Sequence, residues 1–136
     1  MVQNIVFKLP PLSRGYHLVT EHIFKQIGKL PDNGMLNLYI SHTSAGLTVN
    51  ESADVSVRID LEYFLDKLAP ERDPFYSHTL EGDDDMPAHI KAFLTGSSIQ
   101  IPIINSKPAL GTWQGIYLCE FRNRIHQREV IATIIT

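Results

Sequence analysis

The sequence has 136 residues, of which 43% are hydrophobic and 20% charged, a balance that predicts a single domain over residues 1–136 with its own core. The formal net charge is −3, and no apolar run reaches the roughly 18 residues of a membrane-spanning helix, so we expect neither a nucleic-acid-binding nor a membrane protein. Cys119 is the only cysteine, which excludes an intrachain disulfide. Together with the lack of an apolar leader, this predicts a cytoplasmic protein.

Hydrophobic periodicity predicts strands in runs, interrupted by helices. In LNLYISH, apolar and polar positions alternate as in a half-buried strand, which places His42 on the apolar face. The clearest helix begins near Asp54, carries apolar residues at helical spacing and ends before Pro70. In chain order, we predict strands at 2–9 and 16–19, a helix at 20–29, strands at 35–42 and 47–50, helices at 54–69 and 87–95, and strands at 98–105, 112–122 and 128–136.

This succession favours an α+β fold with a mostly antiparallel sheet over a doubly wound fold, because regular alternation of strand and helix is lacking. The predicted order is ββαββαβββ, with one helical region between the fourth and fifth strands. Pro102 lies within the strand predicted at 98–105 and lacks an N–H group. That strand is therefore expected at a sheet edge or with a bulge.

The stretch LEGDDDMPAHIKAF, residues 80–93, places three adjacent aspartates, Asp83, Asp84 and Asp85, at the entrance of a short predicted helix. Carboxylates at a helix N-terminus complement the helix dipole and cap free N–H groups, which accounts for one or two of them. The remaining charge needs a partner such as a metal ion, a basic side chain or a protonated histidine. A solvated helix cap and the wall of a site both remain open.

Three histidines are candidate metal ligands, since imidazole is a common neutral ligand and titrates near neutral pH. His78 and His89 bracket the acidic stretch, and His42 ends a strand on its apolar face. Their spacing matches no established zinc motif, because the chain has neither HExxH nor a cysteine–histidine pair. Each is alternatively a structural histidine with a hydrogen-bond partner.

Two further segments combine polar groups with strands. HTSAGLTVNES, residues 42–52, is either a capped turn or an anion-binding loop of backbone N–H and hydroxyl groups. GTWQG, residues 111–115, has glycines that allow close approach of another group at the start of a strand. Glu120 and Arg122 follow in that strand as either an ordinary pair at a strand end or a carboxylate base beside a phosphate-binding guanidinium.

Together, the motifs SHTSAGLTVNE, GDDDMPAHIK and LGTWQGI followed by E-F-R resemble the YjbQ-like family, whose members are called secondary thiamine-phosphate synthases. The resemblance spans essentially the whole chain. The sequence departs from the family pattern in the loop NSKPAL and the turn RNRIHQRE. It implies a β-sandwich with flanking helices that assembles as a homotrimer. The implied activity is a weak transferase reaction that joins a hydroxymethylpyrimidine diphosphate to a thiazole phosphate and releases pyrophosphate.

The resemblance also implies one polar pocket for a phosphorylated heterocycle and a divalent metal, Mg or Zn. The metal ligands expected there are His42, His78 and His89. The expected catalytic residues are Glu120, Asp84 and Gln114, and the expected substrate-binding residues are Ser44, Thr43, Asn50, Trp113 and Arg122. The alternative is a non-catalytic trimeric metal- or anion-binding protein of unknown primary role. A hydrolase is a third possibility, because a metal-bound water beside carboxylates suits hydrolysis.

Overall fold

The chain folds into two antiparallel sheets and three helices, and the computed structural model describes all residues from 1 to 136. The α+β class is confirmed, and the helices predicted at 54–69 and 87–95 both form between the fourth and fifth strands; the structure adds only a two-residue strand after the fifth. The elements are β1 (Val2–Lys8), β2 (Gly15–Leu18), α1 (Thr20–Ile27), β3 (Asn33–Ile40), β4 (Ala45–Glu51), α2 (Val55–Leu68), α3 (Asp85–Thr95), β5 (Ser98–Ile104), β6 (Lys107–Pro108), β7 (Gln114–Glu120) and β8 (Glu129–Ile135).

One sheet has five strands in the order β1-β8-β3-β5-β6, and the other has three in the order β2-β7-β4. The first and last strands pair along their length, from Val2 opposite Ile135 onward. β6 pairs only with Ile103 and Ile104, so most of β5 is an edge strand. Pro102 lies opposite Met35 of β3, and its carbonyl oxygen faces the other side, where it accepts the N–H of Ala109 at 2.8 Å. Its missing N–H group lies on that outer side, so no hydrogen bond to β3 is lost.

The main core lies between the two sheets. Alternate residues of β3 are fully buried there, Leu36, Leu38 and Ile40 among them, and they belong to the same hydrophobic cluster as Ile116 and Leu118 of β7. The alternation that predicted a half-buried strand thus reflects one face of β3 packed against the second sheet. α1 closes one end of this core with two buried isoleucines.

β7 is buried on both faces, and α3 packs against one of them. The face that carries Glu120 points between the sheets, whereas Tyr117, Cys119 and Phe121 form a second cluster with Ala88 of α3. The helices α2 and α3 therefore lie over the outer face of the three-stranded sheet. The N-terminal turn of α3 consequently meets the segment that follows β7. No helix of the structure has the length and apolar character required to cross a membrane.

Candidate functional site

The start of α3 and the loop before it bring two imidazoles onto one carboxylate. Asp85 Oδ2 lies 2.6 Å from His78 Nε2 and 3.0 Å from His89 Nε2. The three candidate ligand atoms all lie within 4.8 Å of one another. Because Asp85 and His89 are four residues apart in one helix, they share a face. The structure thus joins two of the three predicted ligands around Asp85, the aspartate next to the Asp84 chosen from sequence.

His89 has hydrogen-bond acceptors at both ring nitrogens. Its Nδ1 lies 2.8 Å from the backbone carbonyl oxygen of Thr43, which only accepts, so Nδ1 carries a proton. Its Nε2 faces the carboxylate of Asp85, which also accepts when ionised. Nε2 therefore holds either a second proton or a metal ion. A histidine whose Nδ1 donates to a backbone carbonyl and whose Nε2 faces a carboxylate is arranged as histidines that bind metals are.

Asp85 is ionised although its side chain is only 2% exposed. Burial alone raises the pKa of this carboxyl, but the hydrogen bond from His78 and the charges of His89 and Arg122 outweigh it and hold the pKa below its usual range. Arg122 Nη1 donates to Oδ1 at 2.6 Å, so the other oxygen, Oδ2, serves both histidines. One oxygen of the carboxylate is thus fixed by Arg122, and the other faces the two histidines.

All three guanidinium nitrogens of Arg122 donate hydrogen bonds to other groups of the protein. Nε donates to Asp84 Oδ2 at 2.8 Å, Nη1 to Asp85, and Nη2 to the carbonyl oxygen of Glu81 at 3.1 Å. Burial raises the pKa of Asp84, but the N–H group of Asn123 and the guanidinium more than offset it, so the pKa lies below its usual range. This geometry suits an arginine that orients two aspartates better than the phosphate-binding and catalytic roles expected for Arg122 and Asp84.

Glu120 forms a closed ion pair between the two sheets. It is fully buried, and its two oxygens accept from Arg128 Nε at 2.6 Å and Arg128 Nη2 at 2.5 Å. The same Nη2 donates to Ser44 Oγ at 3.0 Å, and the backbone N–H of Arg122 donates to Glu120 at 3.1 Å. Both oxygens of Glu120 and the hydroxyl oxygen of Ser44 accept hydrogen bonds from the protein itself, so their geometry is structural and does not favour the predicted base and substrate contacts.

His42 lies outside the three-residue cluster. Its Nε2 accepts the backbone N–H of Glu129 at 2.8 Å, so the neutral ring carries its proton on Nδ1. Burial, and then the charge of Arg128, lower its pKa and keep the ring neutral near pH 7. A metal on Nδ1 would move the proton to Nε2, where Glu129 already donates. This conflict is the physical reason why His42 does not suit the predicted ligand role in this arrangement.

An open depression of about 410 Å³ nevertheless connects His42 with His89. Thr43, Phe93 and Ser97 also line it, and Phe93 is 87% exposed. The carbonyl oxygen of Thr43 is occupied by His89, and its predicted contact with substrate stays a prediction. The depression offers a flat aromatic surface and an imidazole N–H donor beside the cluster.

Three other predicted site residues lie at the opposite end of the three-stranded sheet. β7 is seven residues long, so Gln114 at its start is roughly 20 Å from Glu120 at its end. Gln114 Oε1 accepts the N–H of Gly111 and so closes the turn before the strand. Asn50 pairs near this start in β4, and Trp113 precedes it and is 64% exposed. Within one chain, these residues do not reach the histidine cluster.

Sequence comparison places the chain in a family. The family model described as UPF0047 protein YjbQ-like matches residues 6–136. The chain belongs to this family. It is 44% identical to the UPF0047 protein YjbQ of Escherichia coli O157:H7 over 124 residues, which cover 90% of this chain and 89% of that protein. A UPF0047 protein of Synechocystis is 50% identical over 101 residues, 74% of this chain and 69% of the relative.

Solved structures of the YjbQ family share the fold. A YjbQ/UPF0047 family protein from Clostridium acetobutylicum is 40% identical, with a TM-score of 0.83 over 96% of this chain and 99% of that one. A conserved hypothetical protein from Thermus thermophilus is 33% identical, with a TM-score of 0.81 over 96% of this chain and 99% of its own. The predicted family and its two-sheet architecture are thereby confirmed. The relatives from Escherichia coli, Synechocystis and Clostridium carry the family name, and none of the four names a reaction.

Proposed function

We propose that the protein binds a divalent cation between His78, Asp85 and His89 and acts as a metal-assisted transferase on a phosphorylated heterocycle. The reaction is the one that the resemblance implies, in which the thiazole nitrogen forms a bond to the pyrimidine methylene as the bond from that methylene to the diphosphate breaks. The observation that carries the proposal is His89, whose Nε2 faces a carboxylate while its Nδ1 donates to Thr43. Two imidazoles and one carboxylate match the ligand sets of catalytic zinc sites, which keep a further position open.

The contacts of two arginines favour a metal cation, rather than a guanidinium, as the group that binds the pyrophosphate leaving group. Arg122 and Arg128, the two arginines beside the cluster and the inner sheet face, each form an ion pair with a carboxylate. Neither has a free charge for pyrophosphate. When bound, the cation would offset the negative charge that develops on the departing diphosphate. Arg122 contributes by holding Asp85 in place, and Thr43 contributes by fixing which nitrogen of His89 is free.

The depression next to the cluster supports a flat, ring-shaped substrate. Phe93 offers an exposed ring face, and the Nδ1–H group of His42 is a donor for a ring nitrogen or exocyclic group. Because His42 is held by a backbone N–H, the orientation of this donor is set before the substrate arrives. We assign it a positioning role for the heterocycle in place of a metal ligand.

The test is pyrophosphate release from the two substrates, measured with and without Mg²⁺ or Zn²⁺ after removal of bound metal. We expect saturation in both substrates, dependence on the cation, and loss of at least about a hundredfold in kcat/KM for His78→Ala. The matched control is His17→Ala, which removes an imidazole that contacts only the carbonyl oxygen of Ser13. Equal rates in the two variants, or cation-independent release, would contradict the proposal.

A second function is favoured by the same saturated arginines. A protein that only binds the metal, as a trimer without turnover, needs no group to hold pyrophosphate. His78 has 42% of its side chain exposed, so a cation there has direct access to solvent. Stoichiometric cation binding combined with no product from any phosphorylated substrate is the result that would favour this alternative.

We propose that the protein is a homotrimer, as the resemblance implies. α2 has no buried residue within one chain, and it carries large exposed apolar groups. Val55, Ile59, Tyr63, Phe64 and Leu68 are 59–65% exposed. A surface of this kind is typical of an interface between subunits. Sedimentation that gives a stable monomer at micromolar concentration would contradict the trimer, and Ile59→Lys is expected to weaken it.

A further inference from the structure

A second cavity lies between α2 and the outer face of the three-stranded sheet. Its volume is about 160 Å³, and none of its lining residues belongs to the depression beside His89. An apolar cavity of about 150 Å³ is large enough to hold a benzene molecule. This cavity therefore has the capacity of a single six-membered ring.

The cavity is lined by 12 residues, of which 7 are hydrophobic. Val57, Leu61 and Leu65 project from α2 at helical spacing, and Tyr117 and Cys119 form the floor on β7. This space between α2 and the sheet is called the slot below. Its volume, its mostly apolar lining and the Tyr117 ring on its floor together indicate an aromatic or other planar ring as the ligand.

Arg58 brings a fixed positive charge to this slot. Its Nε donates to the hydroxyl of Tyr117 at 3.1 Å, and its guanidinium carbon lies 5.1 Å from the centre of the Tyr117 ring. The Tyr117 hydroxyl in turn donates to the carbonyl oxygen of Glu51 at 2.6 Å, which fixes its orientation. The arginine is thus held in one position by a hydrogen bond and by its contact with the ring.

Both terminal nitrogens of Arg58 remain free. Arg58 takes part in no ion pair, in contrast to Arg14, Arg122 and Arg128. Its only side-chain hydrogen bond is the one from Nε. The guanidinium fork therefore presents two N–H-bearing nitrogens to a ligand, the arrangement that binds a carboxylate through two parallel hydrogen bonds.

Glu51 is the one carboxylate that lines the cavity, and one of its two oxygens is held by backbone N–H groups. Its Oε2 accepts the backbone N–H groups of Ala53 at 2.6 Å and Asp54 at 2.8 Å, at the start of α2. Asn50 and Thr48 add neutral polar groups at the same end. The cavity thus joins one unpaired cation to an apolar slot of one ring's volume.

We infer that this cavity is a binding site for a small planar ring carboxylate, with the carboxylate on the free fork of Arg58 and the ring between α2 and Tyr117. The site is separate from the proposed metal centre. It gives Asn50, which the sequence placed in the substrate pocket, a position beside a different ligand.

The test uses benzoate as the probe and titration calorimetry on the full chain. We expect saturable binding at about millimolar concentration or tighter, and affinity for the neutral analogue benzamide that is roughly ten- to a hundredfold weaker. Arg58→Met should weaken benzoate by a similar factor, whereas Arg124→Met, a matched change at an exposed arginine without an ion pair, should leave it unchanged. Absence of binding at about 10 mM, or equal affinity in Arg58→Met, would overturn the inference.

Two further variants locate the probe. Leu61→Trp fills the slot and should abolish benzoate binding; if that chain fails to fold, Arg58→Met carries the test alone. His89→Ala changes the proposed metal centre and should leave benzoate affinity intact. A loss of benzoate binding in His89→Ala with none in Arg58→Met would place the probe at the histidine cluster and overturn the inference, independently of whether the transferase assay succeeds.

Discussion

Two arginine–carboxylate groups lie near the end of β7, and they differ in what else reaches the carboxylate. Glu120 and Arg128 are both buried, and every polar contact of their ion pair is made by the protein itself. Asp85 gives one oxygen to Arg122 and leaves the other to two imidazoles, one of them substantially exposed. The Glu120–Arg128 pair, in which both carboxylate oxygens bind the arginine, links the two sheets. The Asp85–Arg122 pair leaves one carboxylate oxygen to the histidines, which is the arrangement a metal-binding site requires.

The largest effect is expected where the closed pair is broken. Glu120→Ala leaves the Arg128 guanidinium buried without a counter-charge, which should lower the free energy of unfolding by about 3–5 kcal/mol. Urea denaturation of the metal-free protein measures this. The double variant Glu120→Gln with Arg128→Met removes both charges and should recover much of the loss. Equal stability of the single variant and the unchanged protein would mean that the pair does not hold the sheets together.

A change in the Asp85–Arg122 pair should alter the affinity for a cation more than the stability of the fold. Arg122→Lys keeps the charge but loses the planar fork that holds Asp84 and Asp85 at once. We expect Zn²⁺ affinity to fall roughly ten- to a hundredfold, as for other residues that orient metal ligands. Pyrophosphate affinity measured without metal should stay the same. A selective loss of metal-free pyrophosphate binding would instead return Arg122 to the phosphate-binding role predicted from sequence.

The smallest effect concerns acid stability. The pKa values of Asp84 and Asp85 lie below their usual range in the folded chain, so their stabilisation is complete above the unfolded value of about 3.9 and is lost as the pH falls through the lower folded values. Asp85→Asn should therefore flatten the decline in stability below about pH 5. Asp83→Asn is the matched control, because Asp83 meets only the exposed Arg72. Identical acid profiles for Asp85→Asn and the unchanged protein would contradict this linkage.

Sequence reasoning reached the fold because its signals are local. Alternation along β3 and helical spacing along α2 follow from which face is buried, and the predicted helix from Asp54 indeed has Asp54 as its N-cap, accepting from Ser56 at 2.9 Å. Only β6 was missed. A two-residue strand leaves no periodicity to detect.

The site could be predicted only in outline. Three adjacent aspartates look equivalent in the sequence. Asp85 differs because α3 begins there, which puts Asp85 and His89, four residues apart, on the same face of the helix. That spacing was a usable signal. Arg128 could not be assigned, since its pairing with Glu120 depends on how β7 and β8 place the two sheets. The separation of Gln114 from Glu120 was foreseeable from strand length alone, roughly 20 Å for seven residues.

The central claim is that His78, Asp85 and His89 form a cation site in which Nε2 of His89 is one ligand. Calorimetric titration of Zn²⁺ near neutral pH measures both the affinity and the number of cations bound. We predict one cation per chain, and loss of binding in His89→Ala but not in His22→Ala. Absence of saturable binding, or equal binding in the two variants, would contradict the account.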